Sequence, residues 1–179
     1  MRFVATTIGG VHVIDVDTHL DERGTFARIY CADEFRAHGL ELPDRQSAIS
    51  RNRLAGTLRG LHYIIAAAGE AKLVRCIRGS VFDVAVDLRR DSPTFGLHVS
   101  VALNAEKASA VYIPPGVAHG FLTLEADCDI LYQFSQPHRA GLEAGVRWND
   151  PTIGIAWPQE PVTLSERDRA LPRLTDVAE

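Results

Sequence analysis

Between residues 81 and 88 the chain alternates strictly. Val81, Asp83, Ala85 and Asp87 fall on one side of an extended backbone and Phe82, Val84, Val86 and Leu88 on the other, so one face is continuous apolar surface. Residues 97–103 repeat the device, with Leu97, Val99, Val101 and Leu103 turned together. The intervening Arg89-Arg90-Asp91-Ser92-Pro93 carries turn chemistry, since Asp and Ser bond their own backbone and Pro presets φ. The pattern predicts a strand, a turn and a second strand. Shorter runs of the same kind lie at 72–77 before Arg78-Gly79-Ser80, at 110–113 before Pro114-Pro115-Gly116, at 120–124 and at 129–134. Helical signal is confined to 32–38 and to a turn near 165–170, where Ser165 caps a segment that ends before Pro172. Many short strands punctuated by Gly and Pro, with no βαβ alternation, predict an all-β jelly-roll barrel. Short peripheral helices and a polar pocket between the sheets belong to that expectation.

Composition narrows the class. The 179 residues suit one domain spanning 1–179, and 46% hydrophobic against 23% charged residues exclude a disordered chain. A net charge of -4, from 19 Lys+Arg and 23 Asp+Glu, argues against nucleic-acid binding carried by net charge. No stretch approaches the ~18 apolar residues that would span a bilayer, so a membrane is not an expected partner. Met1 to Gly10 has no charged, apolar leader, and Cys31, Cys76 and Cys128 are widely spaced with no C-x-x-C pair. A cytoplasmic protein with reduced thiols is expected.

Candidate chemistry is densest at Gly56-Thr57-Leu58-Arg59-Gly60-Leu61-His62-Tyr63 and Lys72. Arg59 offers a planar fork suited to phosphate, His62 exchanges a proton near neutral pH and Lys72 is a point charge. Facing one cavity, the three suit an anionic substrate; spacing alone equally allows each to stand on a solvated face. Pro114-Pro115-Gly116-Val117-Ala118-His119 has a P-x-G-x-x-H core resembling the second cupin motif, whose His often binds metal. A metal site needs three or four ligands, and no His-x-His accompanies it, so no metal is expected. His119 then reads as a substrate contact or a satisfied core histidine. Tyr132 and Asp168 would not be singled out alone: a strand tyrosine usually packs, and an Asp after Ser-x-x usually caps. A G-x-S-x-G elbow, a dinucleotide loop and a Walker loop are all missing from the sequence.

Together these residues resemble the dTDP-4-dehydrorhamnose 3,5-epimerases, nucleotide-sugar epimerases of the cupin class. The likeness runs from Asp21-Glu22-Arg23-Gly24-Thr25-Phe26 through Arg59-Gly60-Leu61-His62-Tyr63, Lys72-Leu73-Val74-Arg75 and Asp83-Val84-Ala85-Val86-Asp87-Leu88-Arg89. It continues in Ser92-Pro93-Thr94-Phe95-Gly96, Pro115-Gly116-Val117-Ala118-His119-Gly120-Phe121, Trp148-Asn149-Asp150-Pro151 and Leu164-Ser165-Glu166-Arg167-Asp168. The resemblance implies a cupin-type barrel, a homodimer that exchanges N-terminal strands, and a site needing neither metal nor other cofactor. It implies His62 as general base, Asp168 as the carboxylate orienting it, Tyr132 as the acid on the opposite face and Lys72 at the C4 oxygen. Arg23, Gln46, Arg59, His119, Glu143 and Arg167 match substrate-contacting positions, and Phe26 resembles the aromatic bordering the nucleotide. The implied reaction inverts C3 and/or C5 of an NDP-4-keto-6-deoxy sugar, dTDP-4-dehydro-6-deoxyglucose giving dTDP-4-dehydrorhamnose.

Several positions depart from the family pattern. Ile64 stands where a Gln is common, Ala48 where an Asn often follows Gln46, and Arg28 in place of a common Glu. His138 falls where many members carry a second active-site tyrosine, and is expected to alter the extent or the substrate of epimerisation. A monoepimerase acting on another nucleotide-linked 4-keto sugar, such as a GDP-heptose, and a noncatalytic sugar-nucleotide-binding cupin remain as alternatives.

Overall fold

The computed structural model describes residues 1–65 and 69–177. In chain order its elements are β1 (Arg2–Ala5), β2 (His12–Asp15), β3 (Thr18–Asp21), β4 (Gly24–Ala27), α1 (Ala32–Ala37), β5 (Gln46–Asn52), β6 (Leu58–Ile64), β7 (Lys72–Arg78) and β8 (Ser80–Asp87). They continue with β9 (His98–Asn104), β10 (Ala110–Ile113), β11 (Val117–Thr123), β12 (Cys128–Phe134), β13 (Glu143–Gly145) and α2 (Glu166–Arg169). Two antiparallel sheets face each other, a six-stranded one in the order β1-β2-β10-β7-β12-β5 and a five-stranded one in the order β13-β6-β11-β8-β9. This is the expected jelly roll. Strands β3 and β4 form a separate hairpin. No helix among the described residues is long and apolar enough to cross a membrane.

The space between the sheets is filled by Val74 and Cys76 of β7, Val111 and Ile113 of β10, Ile130 of β12, and Val81, Ala85, Leu103, Val117 and Phe121 from the facing sheet. Burying a side chain of this size stabilises the fold by about 1.5–3 kcal/mol each. Strand β8 turns its mixed face, Val81-Asp83-Ala85-Asp87, inward. Its apolar face is buried too, on the outside of the barrel, where Phe82, Val84 and Val86 lie under Ile153, Trp157 and Leu174 of the C-terminal segment. A strand covered on both sides explains why its outer face reads as continuous apolar surface.

Strands predicted at 97–103 and 120–124 form at His98–Asn104 and Val117–Thr123, and the helix predicted at 32–38 ends at Ala37. Strand β5, Gln-Ser-Ala-Ile-Ser-Arg-Asn, carries no alternation of apolar and polar residues, because its inner face borders a polar pocket and most of its outer face is exposed.

Candidate functional site

A cleft of about 590 Å³ opens between the sheets. Its back is β6, where Arg59 and His62 stand three residues apart and in a regular strand would face opposite ways. Both line the cleft because the pairing slips: Arg59 lies opposite Phe121 and His62 opposite His119, three steps on β6 against two on β11. Such a bulge re-aims a side chain. Glycine permits it here. Gly60 has φ +126°, and a Cβ there would stand 2.6 Å from the Gly120 Cα, while one on Gly120 would stand 2.7 Å from the Arg59 carbonyl oxygen. Arg59 is braced by Nε–H donating to Asn52 Oδ1 at 2.8 Å, leaving the end of its fork free of side-chain partners among the described residues.

The C-terminal segment returns beside β6 through the Leu58 N–H, which donates to the Thr163 carbonyl at 2.9 Å, and so delivers α2 to the cleft. Ser165 caps α2 by accepting from the Asp168 N–H at 3.1 Å. Asp168 Oδ1 lies 2.7 Å from His62 Nε2, and Oδ2 accepts the Gly60 N–H at 3.2 Å. Burial alone would raise the Asp168 pKa, but the hydrogen bonds and the nearby imidazole outweigh it and hold the carboxyl below its usual range. The carboxylate therefore accepts a hydrogen bond from Nε2–H and leaves Nδ1 as the basic nitrogen.

Tyr132 projects from β12, in the opposite sheet. Burial, then the nearby Asp83 charge, push its phenol well above the ordinary value, so it keeps its proton. His119, on β11, meets Tyr132 edge to face at 5.8 Å between ring centres and is fixed by Asp83 Oδ2, 2.8 Å from Nε2. Both His119 and Asp83 are buried.

Lys72 opens β7 on the same sheet as Tyr132. Its Nζ is 3.6 Å from Glu70 Oε1. On the neighbouring rim Glu143 forms an ion pair with Arg167 at 2.9 Å and has His138 Nδ1 at 3.6 Å, while the His138 backbone N–H donates to Gln46 Oε1 at 2.9 Å. The structure thus gathers His62, Lys72, Tyr132, Asp168, Gln46, Arg59, His119, His138, Glu143 and Arg167 around one cleft. Arg23 and Phe26 do not join them. They sit at the exposed β3–β4 hairpin, where Arg23 pairs with Asp21 and Phe26 is 73% exposed. Sequence reasoning did not place Glu70, Asp83 or Ser50 in the site. Period two would have placed Glu70 beside Lys72. Among the described residues no group of three His, Cys, Asp or Glu side chains is placed to hold a metal ion.

A jelly roll with an imidazole–carboxylate dyad on one wall, a protonated phenol and an ammonium on the other, and two arginines in the lining defines a cupin-type barrel suited to moving protons on an anionic substrate. The sequence profile of the dTDP-4-dehydrorhamnose 3,5-epimerase family matches residues 5–176. A dTDP-4-dehydrorhamnose 3,5-epimerase of Sinorhizobium fredii is 39% identical, the match covering 99% of this chain and 91% of that protein. The solved epimerase of Mycobacterium tuberculosis superposes with a TM-score of 0.94 at 38% identity, over 99% of this chain and 90% of its own. A 3′-monoepimerase of Streptomyces bikiniensis in complex with dTDP-quinovose gives 0.89 at 35% identity, over 95% and 86%. The chain belongs to the dTDP-4-dehydrorhamnose 3,5-epimerase family.

Proposed function

We propose that the protein epimerises a dTDP-linked 4-keto-6-deoxy sugar, converting dTDP-4-dehydro-6-deoxyglucose to dTDP-4-dehydrorhamnose. The observation that carries this is the His62–Asp168 dyad set across the cleft from Tyr132 and Lys72. A C–H beside the C4 ketone is acidic because its electrons can move onto oxygen. His62 Nδ1 takes the proton, the C–H pair becomes the enolate, and the Lys72 ammonium stabilises the new negative charge at O4. Tyr132 then delivers a proton to the opposite face of the same carbon and is reprotonated from solvent, while His62 releases to solvent the proton it took. Only protons move, so the chemistry calls for no redox cofactor. Arg59 and Arg167 suit the pyrophosphate, held by charge-assisted bonds while the sugar reaches between the sheets.

Inversion at one centre rather than two is the second reading. It is favoured by His138, which lines the cleft within the cluster of Gln46, Glu143 and Arg167, and by the likeness to a 3′-monoepimerase. Incubation with dTDP-4-keto-6-deoxyglucose in D₂O, followed by proton NMR, tests both. Deuterium at C3 and C5 supports double epimerisation, at one carbon only the second reading, and at neither overturns the proposal.

The active form is a homodimer in which the N-terminal hairpin of one subunit completes the cleft of the other. Arg23 and Phe26 lie outside their own cleft, Leu20, Phe26, Ile49 and Ile77 are exposed apolar side chains, and Arg75 is buried with Nε and one Nη lacking partners among the described residues. Its three free thiols suit a reducing cytoplasm.

A further inference from the structure

Lys72 is asked to present a positive charge from a place that disfavours one, since its side chain is only 11% exposed. Burial lowers its pKa, and the charges of Glu70 first, then Glu143, act against that loss. Glu143 is already engaged by Arg167 at 2.9 Å, whereas Glu70, 8% exposed, has Lys72 as its ion-pair partner. The backbone fixes this arrangement. Ala71 is tied to Ser135 by two hydrogen bonds, its N–H donating to Ser135 Oγ at 2.8 Å and its carbonyl accepting the Ser135 N–H at 3.0 Å. Extended chain through Ala71 then turns residues 70 and 72 to the same side, into the cleft. Ile113 and Phe134, paired with Lys72 on β10 and β12, bring no charge. The other titratable groups around the cleft are His62 and Asp168, held by each other, His119 and Tyr132 on its inner wall, Tyr63 next to His62 on β6, and His138, Arg59 and Arg167.

We propose that Glu70 is the positioning residue for Lys72: its carboxylate, 3.6 Å from the ammonium, keeps that group charged and directed into the cleft while leaving an N–H for the enolate oxygen. At this separation the pair is longer than a normal hydrogen bond, so the attraction is retained without tying up the donor. The inference rests on the epimerase reading for what Lys72 does, but not for how Glu70 acts on it. The sign follows from the charge. Removing a neighbouring anion makes an ammonium easier to deprotonate, so the alkaline limit of activity moves to lower pH.

The test uses the two lysines of the chain, Lys72 and the exposed Lys107. Protein labelled with ¹³C-lysine gives two ε-carbon signals, and K107R identifies which is which. In the isosteric variant E70Q the Lys72 signal is expected to titrate at lower pH than in the wild type, and in E70D to return toward it. C–H exchange in D₂O should be kept on the acid side of the profile and fall by roughly tenfold or more on the alkaline side, where neutral Lys72 leaves the oxygen without its cation. A Glu70 that only supports the fold would lower the melting temperature and leave the Lys72 titration where it was, which overturns the proposal. If E70Q moves the Lys72 signal but the wild type exchanges no substrate proton, the hold of Glu70 on Lys72 stands and the epimerase reading falls.

Discussion

In the proposed mechanism Asp168 does not touch the sugar; its part is to fix, through its 2.7 Å contact with Nε2, which nitrogen of His62 is basic. With its pKa held down by hydrogen bonds to His62 and the Gly60 N–H, it remains an anion through the acid range in which a free carboxyl would begin to protonate. D168N keeps the shape and removes the anion, so the ring is free to place its hydrogen on Nδ1, facing the substrate. The expected outcome is a loss of about 10²–10⁴ in kcat with KM nearly unchanged, read from the rate of deuterium incorporation at saturating substrate. An unaltered rate would remove Asp168 from the mechanism. His62 and Lys72 are legible in the sequence because a titratable ring and a lone ammonium lie close together in a strand-rich stretch. Asp168, 106 residues beyond His62, has no local signature except its cap, and only the return of the C-terminal segment to β6 brings it into reach. Glu70 is written two residues before Lys72 in the sequence. What hides it is that a charged residue in a connecting segment reads as solvent-exposed, and only the tie of Ala71 to Ser135 shows that it turns into the cleft with Lys72.

At the scale of elements, the β8–β9 connection shows why turn residues are easy to recognise and their organiser is not. Ser92 and Pro93 mark the turn, but Asp87, on the last residue of β8 and fully buried, holds it. Its carboxylate accepts from Arg89 Nε and Nη at 2.8 Å each and from the hydroxyls of Ser92 and Thr94 at 2.6 Å each. Burial opposes ionisation, and these donors outweigh it, leaving Asp87 far below the usual carboxylate range. D87N is expected to cost about 3 kcal/mol at pH 7, measured by urea unfolding. A depressed folded-state pKa means that the stabilisation is complete above the unfolded value of about 3.9 and is lost as pH falls toward the folded one. The gap between wild type and D87N should therefore narrow below about pH 4; a gap constant with pH would contradict the assignment. The same strand misleads in a second way, since its apolar face points out of the barrel and its two aspartates point in. Alternation reveals that a strand has two faces, while the C-terminal segment that covers the outer one is not visible from β8. The bulge at Gly60 and Gly120 is equally silent. Spacing puts Arg59 and His62 on opposite faces, and only the slipped pairing of β6 with β11 returns both to one cleft.

For the whole molecule the β3–β4 hairpin is the element that stands apart from both sheets. All four residues of β3 and three of β4 are exposed, and a two-stranded hairpin with no covered face is marginal in water on its own. Its Leu20 and Phe26 expose apolar surface that a partner subunit would cover, and its Arg23 would bring a cation to the cleft proposed above for a pyrophosphate. If the hairpin completes the partner's cleft, each active centre draws His62 from one chain and Phe26 from the other. H62A then inactivates the cleft of its own chain, and a variant carrying both R23A and F26A impairs the cleft of the neighbour. Homodimers of either kind are inactive or weak. When the two are co-refolded, a mixed dimer holds one cleft with intact His62 facing an intact hairpin, and one with both defects. Statistical mixing makes half the dimers mixed, each with one working cleft of two, so roughly a quarter of wild-type exchange activity should return. A hairpin that folds back on its own cleft would restore nothing beyond the average of the parents, and light scattering on the same samples separates that result from a failure to dimerise.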